Sequence, residues 1–241
     1  MPSPQSPTEP PARPRYADFY AVNRGGGLFS EAVSQRLGAL VACGAARLRL
    51  TPTALTLVNL LVGLAVSGYV VARADDVAAG RAAAWPVGLL ALLGWQFAYA
   101  FDCADGQLAR VTGRSSARGA RLDILCDVAA QIALVTALAA TAAAQRPATP
   151  AWLLAAFAGT WMVNLVTSVL ASGPQAASMV ASTARAVRVV KLVRDYGAVI
   201  AVAGLVLLLA PAATVWFVAA FTAVNGGFLL ASVAFAARPR R

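Results

Sequence analysis

From Tyr196 to Ala237 the chain runs without a single Asp, Glu, Lys or Arg. That run is longer than the ~20 residues a helix needs to cross a bilayer. Pro211, near its middle, has no backbone N–H to continue a helix, so the stretch reads as two helices joined by a turn. Composition extends the point to the whole chain: of 241 residues, 59% are apolar, 12% are charged, and the mean hydropathy is +0.69. A soluble domain needs far more polar surface. The expected fold is an all-α integral membrane protein with six transmembrane helices, placed near 52–73, 84–109, 119–143, 150–172, 195–210 and 213–237.

Two segments precede the spans. Residues 1–14 hold six prolines and no hydrophobic run, so 1–27 is expected to be a disordered, extended tail rather than a signal peptide. Residues 28–50 place Phe29, Val33, Leu37, Leu40 and Val41 on one helical face, with Glu31, Ser34, Gln35 and Arg36 mostly elsewhere. This pattern fits an amphipathic helix on a membrane surface, and equally a helix packed on its own protein. The six-helix transmembrane domain is then expected over 51–238.

Orientation follows from the cations. If the N-terminus is cytoplasmic, only Arg73, Arg81 and Arg146 of the 20 Lys and Arg residues fall on the outer side. The positive-inside bias puts both termini in the cytoplasm of a multi-pass protein of the cell (inner) membrane. The net charge of +10 is thereby accounted for by loops and anionic lipid. No basic-aromatic face suited to nucleic acid is present, and no nucleic-acid partner is expected.

There is no histidine, which removes the commonest general base and every Ser-His or Cys-His pair. Cys43, Cys103 and Cys126 have neither disulfide nor zinc-ligand spacing. Acid–base chemistry falls to carboxylates, and four of them are crowded together: Asp102, Asp105, Asp123 and Asp127. Asp102, Asp105 and Ala109 share a face of the second span; Gly119, Asp123 and Asp127 share a face of the third. The short connection between makes the two helices antiparallel neighbours, with both acidic faces near the cytoplasmic side. Four carboxylates in an apolar setting repel one another unless cations neutralise them. The oxygen-rich site suits two hard divalent cations, Mg²⁺ or Mn²⁺, arranged for phosphoryl displacement. Gly106, Ala109 and Gly119 leave room for a nucleotide or pyrophosphate, although helix packing explains Ala109 or Gly119 alone equally well. Arg110 is placed to hold a phosphate oxygen.

The pattern Asp102-x2-Asp105-Gly106-x2-Ala109-Arg110-x8-Gly119-x3-Asp123-x3-Asp127 resembles the signature of the CDP-alcohol phosphotransferase (CDP-alcohol phosphatidyltransferase) family at every fixed position and gap. Six spans after a surface helix are similar to the family fold. Pro52-Thr53-x2-Thr56 resembles that family's Pro-Asn-x-x-Thr at the start of the first span, with Thr53 in place of asparagine. Val128 stands where many members have arginine. The resemblance implies a reaction in which a CDP-alcohol and a second alcohol give a phosphodiester and CMP, in phospholipid biosynthesis. It implies that Asp102, Asp105, Asp123 and Asp127 hold the metals and that Asp127 is the general base on the acceptor hydroxyl. Gly106, Ala109, Arg110, Gly119 and Thr56 would bind the nucleotide. CDP-diacylglycerol is the expected donor, a polar alcohol such as inositol phosphate or glycerol phosphate the acceptor, and a homodimer in membrane lipid the expected assembly. A soluble donor such as CDP-inositol is the alternative.

Basic residues recur every third position through Arg185, Arg188, Lys191 and Arg194. They read either as a pocket for a phosphate-bearing acceptor or as interfacial anchors that fix topology. Two other classes compete with the transferase: a cation or proton transporter using the acids as an ion path, and a catalytically silent scaffold. Crowding the acids at one face disfavours the transporter.

Overall fold

The computed structural model describes residues 14–23, 27–171 and 195–237. Among them it is helical throughout, with no strand. We number the α-helices in chain order: α1 (Tyr16–Ala21), α2 (Gln35–Arg47), α3 (Pro52–Ala78), α4 (Ala84–Val111), α5 (Ala117–Gln145), α6 (Ala151–Ala171), α7 (Tyr196–Leu209) and α8 (Thr214–Ala236). A π-helical stretch, Ser30–Ser34, leads into α2, and a 3₁₀ turn, Pro211–Ala213, separates α7 from α8 where Pro211 predicts a break.

Local chemistry sets the starts and stops. Pro52 occupies the first turn of α3, where its missing N–H costs nothing, and the Thr51 side chain accepts from Ala54 N–H at 3.2 Å. Ser116 caps α5 by accepting from Gly119 N–H at 3.0 Å. Gly113, at φ 66°, takes the left-handed conformation that turns α4 back toward α5.

Helices α3 to α8 stand where the six spans are expected. Among the described residues, four segments, Pro52–Ala78, Ala84–Val111, Ala117–Gln145 and Pro211–Ala231, are long and apolar enough to cross a membrane by length and composition, and Ala151–Val163 and Tyr196–Leu209 are shorter apolar stretches. The expected span 52–73 ends five residues early, because the helix continues through the polar Asp75 and Asp76, where Arg73 and Arg81 both pair with Asp76 at 2.9 Å. Large apolar side chains point outward, with Leu61 64% and Leu125 66% exposed. Such surface suits lipid tails and would be an aggregation hazard in water.

Helix α3 packs on α4 and α5, α4 packs on α7 and α2, and α6 packs on α8. Small residues bring the backbones close: a Cβ on Gly88 of α4 would lie 2.2 Å from the Leu208 Cα, and one on Gly204 of α7 only 2.5 Å from the Leu92 Cα. The main core gathers Trp95, Leu134, Leu138, Phe157, Trp161, Ile200 and Phe221. Its two indoles are satisfied, Trp95 donating to Ser67 at 3.1 Å and Trp161 to Gln131 at 2.9 Å.

The segment 28–50 uses its two faces in a way its hydrophobic pattern does not announce. Ser30, Ser34, Gln35, Gly38, Ala39 and Ala42 are buried, whereas Leu28, Val33, Leu37 and Leu40 are exposed. The small face packs on α4, where a Cβ on Gly38 would meet Cys103 Cβ at 2.7 Å. Arg185, Arg188, Lys191 and Arg194 lie outside the described residues.

Candidate functional site

The four aspartates converge where α4 ends and α5 begins. Carboxylate oxygens of Asp102, Asp123 and Asp127 lie within 4.8 Å of one another. Asp105, one turn along α4 from Asp102, is 4% exposed and accepts from the Thr56 hydroxyl of α3. Asp102 accepts from the Asn59 side-chain amide of α3 at 3.3 Å. Three helices therefore build the cluster: α4 and α5 do not pack along each other as their short connection suggests, but each packs on α3, which also supplies the donors that hold the α4 carboxylates in place.

Two spaces flank the acids. An open cleft of about 200 Å³ is walled by Pro52, Thr53 and Thr56 of α3, and by Asp105, Gly106, Ala109 and Arg110 of α4. Arg114, Ser115 and Ser116 of the connection and Gly119, Ala120 and Asp123 of α5 complete it. A much smaller inner compartment, about 20 Å³, lies behind the cluster; Asn59, Tyr99, Asp102, Asp127, Gln131 and Tyr196 are among its lining residues. Asp105 and Asp123 thus face the open cleft, while Asp102 and Asp127 face the inner compartment.

Every residue the sequence assigns to a nucleotide lies on that one cleft: Thr56, Gly106, Ala109, Arg110 and Gly119. The Arg110 guanidinium folds over Gly106, where a Cβ would sit 3.0 Å from its Nη1. Gly106 therefore makes room for a side chain of its own helix as well as for a ligand. Asn59, Tyr99 and Tyr196 are additions from the fold. Asn59 carries a sequence signal, being a polar residue one turn beyond Thr56 in an apolar span; the tyrosines carry none, since only tertiary packing brings them to the acids.

Crowded carboxylates on apolar helices, opening on a cleft that carries a guanidinium, suit a membrane-embedded enzyme that handles a phosphate-containing substrate. The family model described as CDP-alcohol phosphatidyltransferase matches residues 49–237, and the chain belongs to that family. A search of curated proteins gives no match. Members are transferases that move a phosphate-containing group from a CDP-alcohol to another alcohol, and they depend on divalent cations. The residues present fit such ions. The ligand atoms are hard oxygens at close range, and Asp123 Oδ1 is buried with no hydrogen-bond partner, an acceptor awaiting a positive group.

Proposed function

We propose that the protein transfers a substituted phosphate from a CDP-alcohol, in the first place CDP-diacylglycerol, to the hydroxyl of a polar alcohol such as inositol phosphate or glycerol phosphate. CMP is released, and the setting is phospholipid biosynthesis. The observation that carries the reading is the division of the acids, with Asp105 and Asp123 on a cleft that holds Gly106, Arg110 and Gly119, and Asp127 behind it.

In this reading Asp102, Asp105, Asp123 and Asp127 hold two divalent cations, Mg²⁺ or Mn²⁺. When bound, these ions supply the positive charge that offsets the diphosphate and the CMP leaving group. Gly106, Ala109 and Gly119 let the cytidine diphosphate approach the helix backbones, Thr56 holds Asp105 toward it, and Arg110 takes a phosphate oxygen in charge-assisted hydrogen bonds. Asp127 removes the proton from the acceptor hydroxyl. The acceptor oxygen forms a bond to the phosphorus bearing the alcohol, and the bond from that phosphorus to the CMP oxygen breaks. Without histidine in the chain, a carboxylate is the natural base.

A lipid donor is supported by exposed apolar residues that follow the site residues in sequence. Leu57 after Thr56, and Ile124 and Leu125 after Asp123, are exposed and offer acyl chains an apolar surface. The site and both termini face the cytoplasm, by the distribution of cations. The basic residues Arg185, Arg188, Lys191 and Arg194 seat the acceptor's phosphate, and the enzyme works as a homodimer, as the family resemblance implies.

The test is CMP release from purified protein with Mg²⁺ or Mn²⁺, across a panel of CDP donors and acceptor alcohols. Release with CDP-diacylglycerol and a phosphorylated polyol supports the reading. Release only with a soluble donor such as CDP-inositol replaces the donor assignment, and cation flux across vesicles with no CMP release overturns the transferase.

A further inference from the structure

Away from the acid cluster, one buried carboxylate ties two distant parts of the chain together. Asp195, 3% exposed, caps α7 by accepting from Gly197 N–H at 3.1 Å. It also accepts from the backbone N–H groups of Phe29 and Ser30, each at 2.9 Å, and from the Ser30 hydroxyl. A single side chain thereby caps α7 in cis and the helical segment leading into α2 in trans. The junction is tight. A Cβ on Gly197 would lie 2.9 Å from both the Ser30 and Ser34 hydroxyl oxygens, and Gln96 of α4 donates to the Gly197 carbonyl at 2.7 Å.

The contacts continue to the acids. Ser30 Oγ lies 3.1 Å from the Tyr99 hydroxyl. A serine hydroxyl has one proton, and Ser30 gives it to Asp195, so Tyr99 is the donor in that pair. The Tyr99 ring stands edge-on to Tyr196, with centroids 4.9 Å apart at 83°. Both tyrosines line the inner compartment with Asp102 and Asp127, and Tyr99 precedes Asp102 by one helical turn. At about 20 Å³ that compartment has room for one water or one hydroxyl group.

We propose that Asp195 is a positioning residue of the transfer reaction: through Ser30 it fixes Tyr99, and Tyr99 with Tyr196 forms the wall that seats the acceptor hydroxyl beside Asp127. This rests on the proposed role of Asp127, which lines the inner compartment, as the base on the acceptor hydroxyl. It adds to it a device built from three elements far apart in sequence.

The experiment is a kinetic double-variant cycle on the full-length protein, reading the KM of donor and acceptor separately. Asp195→Asn keeps the shape but sets an amide N–H₂ against the N–H donors it must cap. It is expected to raise the acceptor KM roughly tenfold and leave the donor KM within about twofold. Ser30→Ala keeps both backbone caps and removes only the hydroxyl that links Asp195 to Tyr99. It should reproduce the acceptor effect, and it carries the test alone if Asp195→Asn fails to fold. Adding Tyr99→Phe to Ser30→Ala should cost little more than either change alone. Additive losses, an equal rise in both KM values, or unchanged kinetics in Ser30→Ala overturn the proposal. The underlying site assignment fails differently, by an Asp127→Asn protein as active as its parent.

Discussion

Asn59 of α3 donates its side-chain amide to the carboxylate of Asp102 on α4 at 3.3 Å, joining the helix that opens the cleft to the one that carries Asp102 and Asp105. A group that orients a metal ligand tunes affinity without touching the ion, typically by 10–100-fold. Asn59→Leu is therefore expected to shift the divalent-cation requirement for CMP release upward by roughly that factor. Excess Mg²⁺ should restore most of the rate. A titration curve that matches the parent's would show that the amide orients nothing.

Asp127→Asn should fold and insert as the parent does, because the amide keeps the side chain's shape. Loss of a general base typically lowers the rate by about 10²–10⁴. Turnover at saturating donor and acceptor is the measurement, and a decrease of under tenfold would transfer the base role elsewhere.

Chelation should abolish CMP release, and Mg²⁺ or Mn²⁺ added back should recover it. Ca²⁺ provides the contrast: its preference for more ligands and longer bonds makes it a poor substitute in a tight carboxylate cluster. Persistent activity after exhaustive chelation would refute metal dependence in this chain.

Gly106→Ala places a methyl 3.0 Å from the Arg110 guanidinium. The flexible arginine can yield, so the fold should survive while the phosphate contact moves. The expected result is a donor KM raised roughly tenfold with the acceptor KM unchanged. A parent-like donor KM would remove Arg110 from the nucleotide site.

Gly88→Ala asks backbone rather than side chain to move, since its Cβ would lie 2.2 Å from Leu208 Cα. Overpacking of this kind typically costs 1–3 kcal/mol, roughly, and a backbone clash belongs at the upper end. Gly44→Ala, with nothing within 4 Å of its Cβ, is the control and should be neutral or stabilising. Thermal unfolding in detergent compares the two; equal melting would mean that α4 and α7 separate freely.

Helices α3 to α8 and the acid cluster were legible because both rest on local periodicity, whereas α1, with its buried Phe19, lies in the stretch 1–27 expected to be extended. Uncharged runs mark α3 to α8, and spacings of three and four residues put Asp102 with Asp105 and Asp123 with Asp127. The contacts of Asn59, Tyr99 and Asp195 were not, since their partners lie 43, 69 and 165 residues away, at Asp102 and Ser30. The segment before α3 shows a different gap. Its leucine face looks like the natural packing surface, yet Gly38, Ala39 and Ala42 meet α4 while Leu37 and Leu40 point outward. In lipid, leucine gains little from burial against protein, and close backbone approach decides which face is used.

The connection from Thr112 to Ser116 lies inside the motif's x8 spacing, so its length is as much a part of the pattern as the helical gaps. An extra residue there would displace Arg114, Ser115 and Ser116, which wall the cleft. The same extra residue between Gly119 and Asp123 would rotate everything beyond it by about 100° around the α5 axis. Asp123 and Asp127 would then both be carried off the cluster, so the turn keeps its length for the rim and the helix keeps its length for the acids.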